Sequence, residues 1–256
     1  MRLKGRVAIV TGASRGIGAA TARKLVSEGA AVALNDVVIE GAQQLVVDLW
    51  RTGGKAIAVR ADVTDKAQIQ NMAQEVVSEF GRIDILVNNA GVFLNRPLVD
   101  MSELEWEQVI DVNLKGSFLC SQAIAPFMMQ QRYGKIVNVS SGAAYGAVTP
   151  GSLNYASAKA GILGLTFTLA MELGPFNINV NAVAPGDIDT EMNRLAAERQ
   201  GIDFEAYKKE QAKVIPIRRF GQPQDVANVI CFLVSEEASH VHGEVIHIFG
   251  GPSRRG

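Results

Sequence analysis

Short apolar runs alternate with longer segments of helical period along nearly the whole chain, and that alternation leaves few ways to fold. Candidate strands fall at residues 7–10, 31–35, 55–60, 83–87, 135–140, 177–183 and 245–248. Helices are predicted near residues 16–28, 40–51, 66–80, 103–131, 155–173 and 224–234. Near-continuously apolar strands taking turns with helices belong to a parallel sheet covered on both faces. Breakers stand where helices should stop, at Arg51-Thr-Gly-Gly54, Gly81-Arg82 and Gly174-Pro175. With 256 residues, 48% of them hydrophobic, one sizeable core suffices. No repeat or linker divides the chain, so residues 1–256 read as a single doubly wound α/β domain. Only residues 187–222 break the rhythm, with charged helical pieces and no strand. An insertion of that kind before the last helix reads as a mobile lid over a ligand.

Charge and cysteine content narrow the function. The 25 basic and 26 acidic residues are well mixed and leave a net charge of −1, so no basic stripe supports nucleic-acid binding. The apolar run that ends at Thr11 is too short for a membrane span or a secretory signal. Cys120 and Cys231 are far apart in apolar helical patterns, which argues against a disulfide framework or a zinc site. The expectation is a soluble cytoplasmic protein. His240, His242 and His247 cluster near the last strand without cysteine or carboxylate company. They read as surface or interface residues, and no metal is expected.

The first predicted strand runs directly into Thr11-Gly-Ala-Ser-Arg-Gly-Ile-Gly18 and then a helix. Glycines at 12, 16 and 18 let the backbone turn tightly and approach a pyrophosphate, which the free N–H groups of the helix start attract. The spacing G-x-x-x-G-x-G differs from the commoner dinucleotide fingerprint, and an ordinary strand–helix turn is the competing reading. Asp36 ends the second strand, near where an acid meets the adenosine ribose, and would favour NAD by repelling a 2′-phosphate. Arg15 points the other way, since a guanidinium in the turn can bind that phosphate and admit NADP. The balance favours NAD.

Tyr155 and Lys159 stand four apart and so share one helical face. Of the four tyrosines, only Tyr155 has a lysine at that spacing. A free phenol titrates near about 10, and a neighbouring ammonium would lower that value and make it a workable proton carrier. Ser141 follows the strand predicted at 135–140, where open parallel sheets bind ligands, and its hydroxyl can hold a carbonyl or alkoxide oxygen. Ser140 competes for that role, but alternation sends the two side chains in opposite directions. Asn113 lies inside the long helix predicted at 103–131, where it either bends the helix or supports a water chain.

Together these motifs resemble the short-chain dehydrogenase/reductase family over nearly the full chain. Thr11-Gly-x-x-x-Gly-x-Gly18, Asp62-Val63, Asn88-Asn-Ala-Gly91, Asn113, Ser141, Tyr155-x-x-x-Lys159 and Pro185-Gly186 followed by Thr190 carry the resemblance. It implies a Rossmann-type sheet ordered 3-2-1-4-5-6-7 and a catalytic tetrad of Asn113, Ser141, Tyr155 and Lys159. The cofactor seat would draw on Gly12, Ser14, Arg15, Gly16, Ile17 and Gly18, on Asp36, and on Asp62 and Val63 for the adenine. Asn89, Ala90 and Gly91 would flank it, Lys159 would hold the nicotinamide ribose, and Tyr155 would lie beside it. Pro185, Gly186, Ile188 and Thr190 would face the nicotinamide, with hydride transferred on its B face. The implied reaction is interconversion of a secondary alcohol and a ketone with NAD. The alternatives are an NADPH-dependent 3-oxoacyl-thioester reductase and a nucleotide-sensing scaffold without turnover.

Two departures stand out. Ser141 precedes Tyr155 by 14 residues, one more than in many relatives, with the extra residue assigned to the loop at 142–154. Phe249-Gly-Gly replaces a usual Asp-Gly-Gly near the C-terminus. The helix at 155–173 carries Ala156, Ala160 and Gly164 at four-residue spacing, then Phe167 and Met171. With the apolar stretch 118–127, that surface predicts a homotetramer.

Overall fold

The computed structural model describes residues 1–146, 150–199 and 201–251, with Arg199 described for backbone alone. Residues 147–149 of the loop and Gln200 of the excursion lie outside the described residues.

Seven parallel strands form one sheet in the order β3-β2-β1-β4-β5-β6-β7. They are β1 (Val7–Thr11), β2 (Ala31–Asp36), β3 (Lys55–Arg60), β4 (Ile85–Asn88), β5 (Gly134–Val139), β6 (Ile178–Pro185) and β7 (Val245–Ile248). The helices are α1 (Gly16–Ser27), α2 (Ile39–Arg51), α3 (Lys66–Phe80), α4 (Glu103–Ile110), α5 (Gly116–Gln131), α6 (Leu153–Leu173), α7 (Glu191–Arg199), α8 (Phe204–Val214) and α9 (Pro223–Leu233). Alternation along the central strands divides the core in two. Ala8, Val10, Leu34 and Val139 pack with Leu25, Leu45 and Ile230 of α1, α2 and α9. Ile9, Leu86 and Ile136 pack on the other face with Met72, Ile124 and Leu173 of α3, α5 and α6. Both faces are covered, so every residue of β1, β4 and β5 is buried.

The helix predicted over 103–131 is interrupted. A wide π turn over Asp111–Lys115 separates α4 from α5. Its cause is Asn113, whose fully buried Nδ2 donates to Val109 O at 2.8 Å and to Val92 O at 3.0 Å. A side-chain amide that takes a carbonyl four residues back displaces the regular ladder, which widens the turn. The wide turn is therefore an effect of Asn113.

The excursion leaves and returns at one point. Asp189 N donates to Gly221 O at 2.8 Å, and Gly221 N donates to Asp187 O at 2.9 Å. Between these ends, α7 and α8 enclose a small core of Ala197, Phe204, Ile215 and Phe220 with half-buried Tyr207. No helix among the described residues is long and apolar enough to cross a membrane. Cys120 and Cys231 are free, buried thiols on α5 and α9. Burial pushes Cys120 up to about 12.

Candidate active site

The chain winds outward from β1 in both directions, so the carboxyl ends of β1 and β4 diverge and leave a crevice. The glycine turn lies there. Gly12 and Gly16 adopt φ of 62° and 55°, values that glycine takes without strain. A Cβ at Gly12 would come within 2.9 Å of Ala90 Cα, and one at Gly18 would collide with the carbonyl oxygen of Gly12. Asn89 fixes the turn to β4, donating through Nδ2 to Thr11 O at 2.8 Å and Gly12 O at 3.0 Å. Thr11 Oγ1 accepts from the backbone N–H groups of Asn89 and Ala90, both at 3.0 Å. Arg15 caps α1 with no side-chain bond to its first amides, which leaves them for an anion.

The two groups expected to choose the cofactor are both engaged. Asp36 ends β2 and accepts from Ser14 N at 3.0 Å and Val38 N at 3.1 Å. Ser14 Oγ in turn donates to Val38 O at 2.9 Å. Arg15 Nη1 lies 2.8 Å from Glu191 Oε2, the first residue of α7. Asp62 folds Oδ1 back on Thr64, accepting from its N and Oγ1 at 2.8 Å each. Val63 is buried against Gly116, where a Cβ would meet its Cγ2 at 2.8 Å. Pro185 closes β6, and Gly186 N donates to Ile248 O at 3.0 Å. Thr190 lies against Gly16, whose absent Cβ would stand 3.6 Å from its Cγ2. Ile188 points its side chain inward instead, 3% exposed and packed on Gly221, so only its backbone can face a ligand. Ile17 packs partly buried on the core of α1 and α9.

Ser141, Tyr155, Lys159 and Asn113 converge beside this crevice. Ser140 and Ser141 take different partners. Ser140 Oγ donates to Lys159 O at 2.8 Å, whereas Ser141 Oγ accepts from Ala143 N at 3.1 Å and hydrogen-bonds Tyr155. Tyr155 is held from below by its own N–H, which donates to Asn154 Oδ1 at 2.7 Å. Its ring meets Phe93 edge-on with centroids 5.1 Å apart. Lys159 Nζ donates to Val139 O at 2.9 Å and stands 5.5 Å from the Tyr155 ring centre.

Burial dominates the electrostatics of the pair. Burial pushes the Tyr155 phenol above its ordinary value, and only the Ser141 hydrogen bond works against it. Burial pulls the Lys159 ammonium down to about 7. An ammonium removed from water at a carbonyl loses more hydration than one hydrogen bond returns. Each group is held nearer neutrality than in solution.

The chemistry of the seat fits a dinucleotide. Uncapped helix amides and positive-φ glycines suit a pyrophosphate. The buried Oδ1 of Asn113 has no partner among the described residues. A Cβ at Gly91 would come within 2.6 Å of that oxygen and 3.5 Å of Lys159 Nζ, so glycine keeps this corner open. Among the described residues no group of three or more His, Cys, Asp or Glu could hold a metal ion. His242, read as a surface or interface residue, is half-buried and bonded into the fold. Its Nδ1 accepts from Val180 N at 3.1 Å, and its Nε2 lies 2.8 Å from Ala170 O. Sequence reasoning also missed Phe93, Asn154 and Asn138, and it gave no role to Asn88, which bonds Asn138 at 2.8 Å. Only the doubled asparagine at 88 and 89 gave any signal for them.

The geometry has clear relatives. The family model described as enoyl-(acyl carrier protein) reductase matches residues 12–253. The chain is 46% identical over 252 residues to the 3-oxoacyl-(acyl-carrier-protein) reductase FabG of Thermotoga maritima, covering 98% of this chain and 99% of that one. It is 43% identical to the short-chain reductase protein NovJ of Streptomyces niveus, covering 96% and 93%. Among solved structures, levodione reductase superposes with a TM-score of 0.94 at 33% identity over 100% of both chains.

Proposed function

The chain belongs to the short-chain dehydrogenase/reductase family of oxidoreductases, and from that premise we propose that it reduces the 3-oxo group of an acyl thioester with NADH. The observation that carries the reading is full-length identity of 46% to a protein named for that reaction. Of the two enzyme readings the sequence left open, the relatives favour the thioester over a general secondary alcohol. The bonded pair of Ser141 and Tyr155 speaks against a scaffold without turnover, which needs no proton carrier.

In this reading the substrate carbonyl oxygen takes the place between Ser141 Oγ and the Tyr155 hydroxyl. Ser141 donates to the oxygen and Tyr155 delivers the proton to it. The bound nicotinamide supplies the hydride to the carbonyl carbon. Lys159 and Asn113 Oδ1 orient the ribose end and complete the route by which Tyr155 is reprotonated. Phe93 keeps water from one side of the phenol. NADH is favoured over NADPH because Asp36 places a carboxylate at the end of β2 while Glu191 already occupies Arg15.

Subunit assembly belongs to the same reading. Ala160, Gly164, Phe167 and Met171 lie exposed along α6, Met171 at 81%, and Phe118 is exposed on α5. A face this apolar supports a homotetramer. Light scattering near the monomer mass of 27.4 kDa at micromolar concentration would reject it.

The decisive assay follows nicotinamide absorbance with a short 3-oxoacyl thioester beside a panel of simple and cyclic ketones. Turnover of the thioester with a higher kcat/KM than any ketone is expected. A cyclic ketone that outruns it would move the reading toward the activity for which levodione reductase is named.

A further inference from the structure

We propose that Glu191 is a specificity-determining residue of the cofactor seat: with Asp36 it supplies the negative charge that a 2′-phosphate would otherwise bring. The inference rests on the nicotinamide-dependent reading above, and it adds the excursion to cofactor choice.

Three anion-seeking groups belong to the glycine turn and to the end of β2 beside it. They are the N–H groups of Ser14 and Val38 and the guanidinium of Arg15, the ingredients from which a phosphate site is made. Each is answered from within the chain. Asp36 takes both N–H groups, Oδ2 on Ser14 at 3.0 Å and Oδ1 on Val38 at 3.1 Å. Glu191 takes Arg15 at 2.8 Å. A phosphomonoester of about −1.5 to −2 charge would have to displace one carboxylate and repel the other.

The Arg15–Glu191 pair is a poor stabiliser of the fold, since its side chains are 68% and 48% exposed. A carboxylate in the first turn of α7 has a bland use in complementing the helix dipole. That use does not require Arg15. Thr190 lies against Gly16, and beside it an open cleft separates α1 from α7, lined by Ala19, Arg23, Glu191 and Arg194. The ion pair is thus a tether from the excursion to the turn. NAD leaves the tether in place, and a 2′-phosphate that claims Arg15 releases it.

The test uses binding rather than turnover. Calorimetry would compare ADP-ribose with adenosine 2′,5′-bisphosphate on the whole protein and on Glu191→Gln, Glu191→Asp and Glu191→Gln with Arg15→Ala. Glu191→Gln should improve the bisphosphate relative to ADP-ribose by about fivefold, the range of one exposed charge pair. Glu191→Asp should keep most of the rejection, and adding Arg15→Ala should erase the gain. An unchanged ratio in Glu191→Gln, with ADP-ribose still bound, would overturn the inference and leave the dinucleotide reading standing. Failure of the unaltered protein to bind ADP-ribose would remove both.

Discussion

The floor of the site and the excursion beside it are built on opposite principles. Under the floor, Asn88 Nδ2 donates to Asn138 Oδ1 at 2.8 Å and Ser121 Oγ at 3.0 Å, and Asn138 Nδ2 donates to Thr166 Oγ1 at 2.9 Å. All four residues are buried, and the chain of bonds joins β4 to β5, α5 and α6. The excursion relies on charge that is partly or fully exposed instead. Lys208 bonds Asp189 at 2.8 Å and Glu205 at 2.9 Å, and Arg15 reaches Glu191, around a core of four buried side chains. Buried polar bonds have no water to exchange with, so they hold one geometry. Exposed ion pairs are worth little and break readily. Proton transfer needs the first kind of surroundings, and ligand entry the second.

The comparison breaks first at Tyr155. Tyr155→Phe keeps the ring and its packing on Phe93 but removes the proton carrier, so kcat should fall by about a thousandfold or more with NADH binding nearly intact. Stopped-flow turnover and cofactor titration check both halves, and activity within tenfold of the parent would overturn the assignment. Because burial raises the phenol, reduction in the parent should hold through neutral pH and decline only in alkali.

Asn138→Ala should strike the floor as a whole. It removes the shortest bond of Asn88 Nδ2 and the donor to Thr166 Oγ1 and leaves a small cavity between them, which should lower unfolding free energy by about 2 kcal/mol in a urea titration. A loss well under that would mean the floor is less connected than its bonds suggest.

Lys159→Met tests whether the floor sacrifices stability for chemistry. Burial holds Lys159 at about 7 in the folded chain, against 10.5 in an unstructured one. Between those values the unfolded chain binds more protons, so this group makes stability rise with pH. The variant lacks that slope. Its Tm should equal or exceed the parent's at neutral pH, and the advantage should shrink toward pH 10, while turnover falls about a hundredfold or more. A Tm below the parent's at neutral pH, with the gap constant in pH, would contradict it.

The smallest global effect is expected in the excursion. Phe220→Ala removes a ring 6.0 Å from Phe204, so hydrogen exchange should quicken across residues 189–221 with little change in the urea midpoint. In the unaltered protein the same residues should exchange faster than β4 and β5 and gain protection with NAD. Equal, strong protection with and without NAD would count against a lid.

Local signals were legible to different depths. Strands and helices were read to within a few residues because apolar period and breakers are properties of short windows. The glycine turn and the Tyr155–Lys159 spacing were legible for the same reason. The π turn was not, because a helical period continues through Asn113 and only the approach of Val92 O makes its amide bond complete. The buried run from Asn88 to Thr166 left no pattern, since its members come from four separate elements.

By itself, then, the sequence determined the doubly wound sheet, the place of its crevice and the identities of the groups gathered there. These follow from steric and hydrophobic rules that act between near neighbours. Tertiary structure alone decided that Lys159 is held near neutrality, that Tyr155 is pushed up, and that Arg15 faces Glu191 instead of standing free. Protonation and charge pairing depend on how much water is excluded and on which distant group arrives, and neither is fixed until the chain has packed.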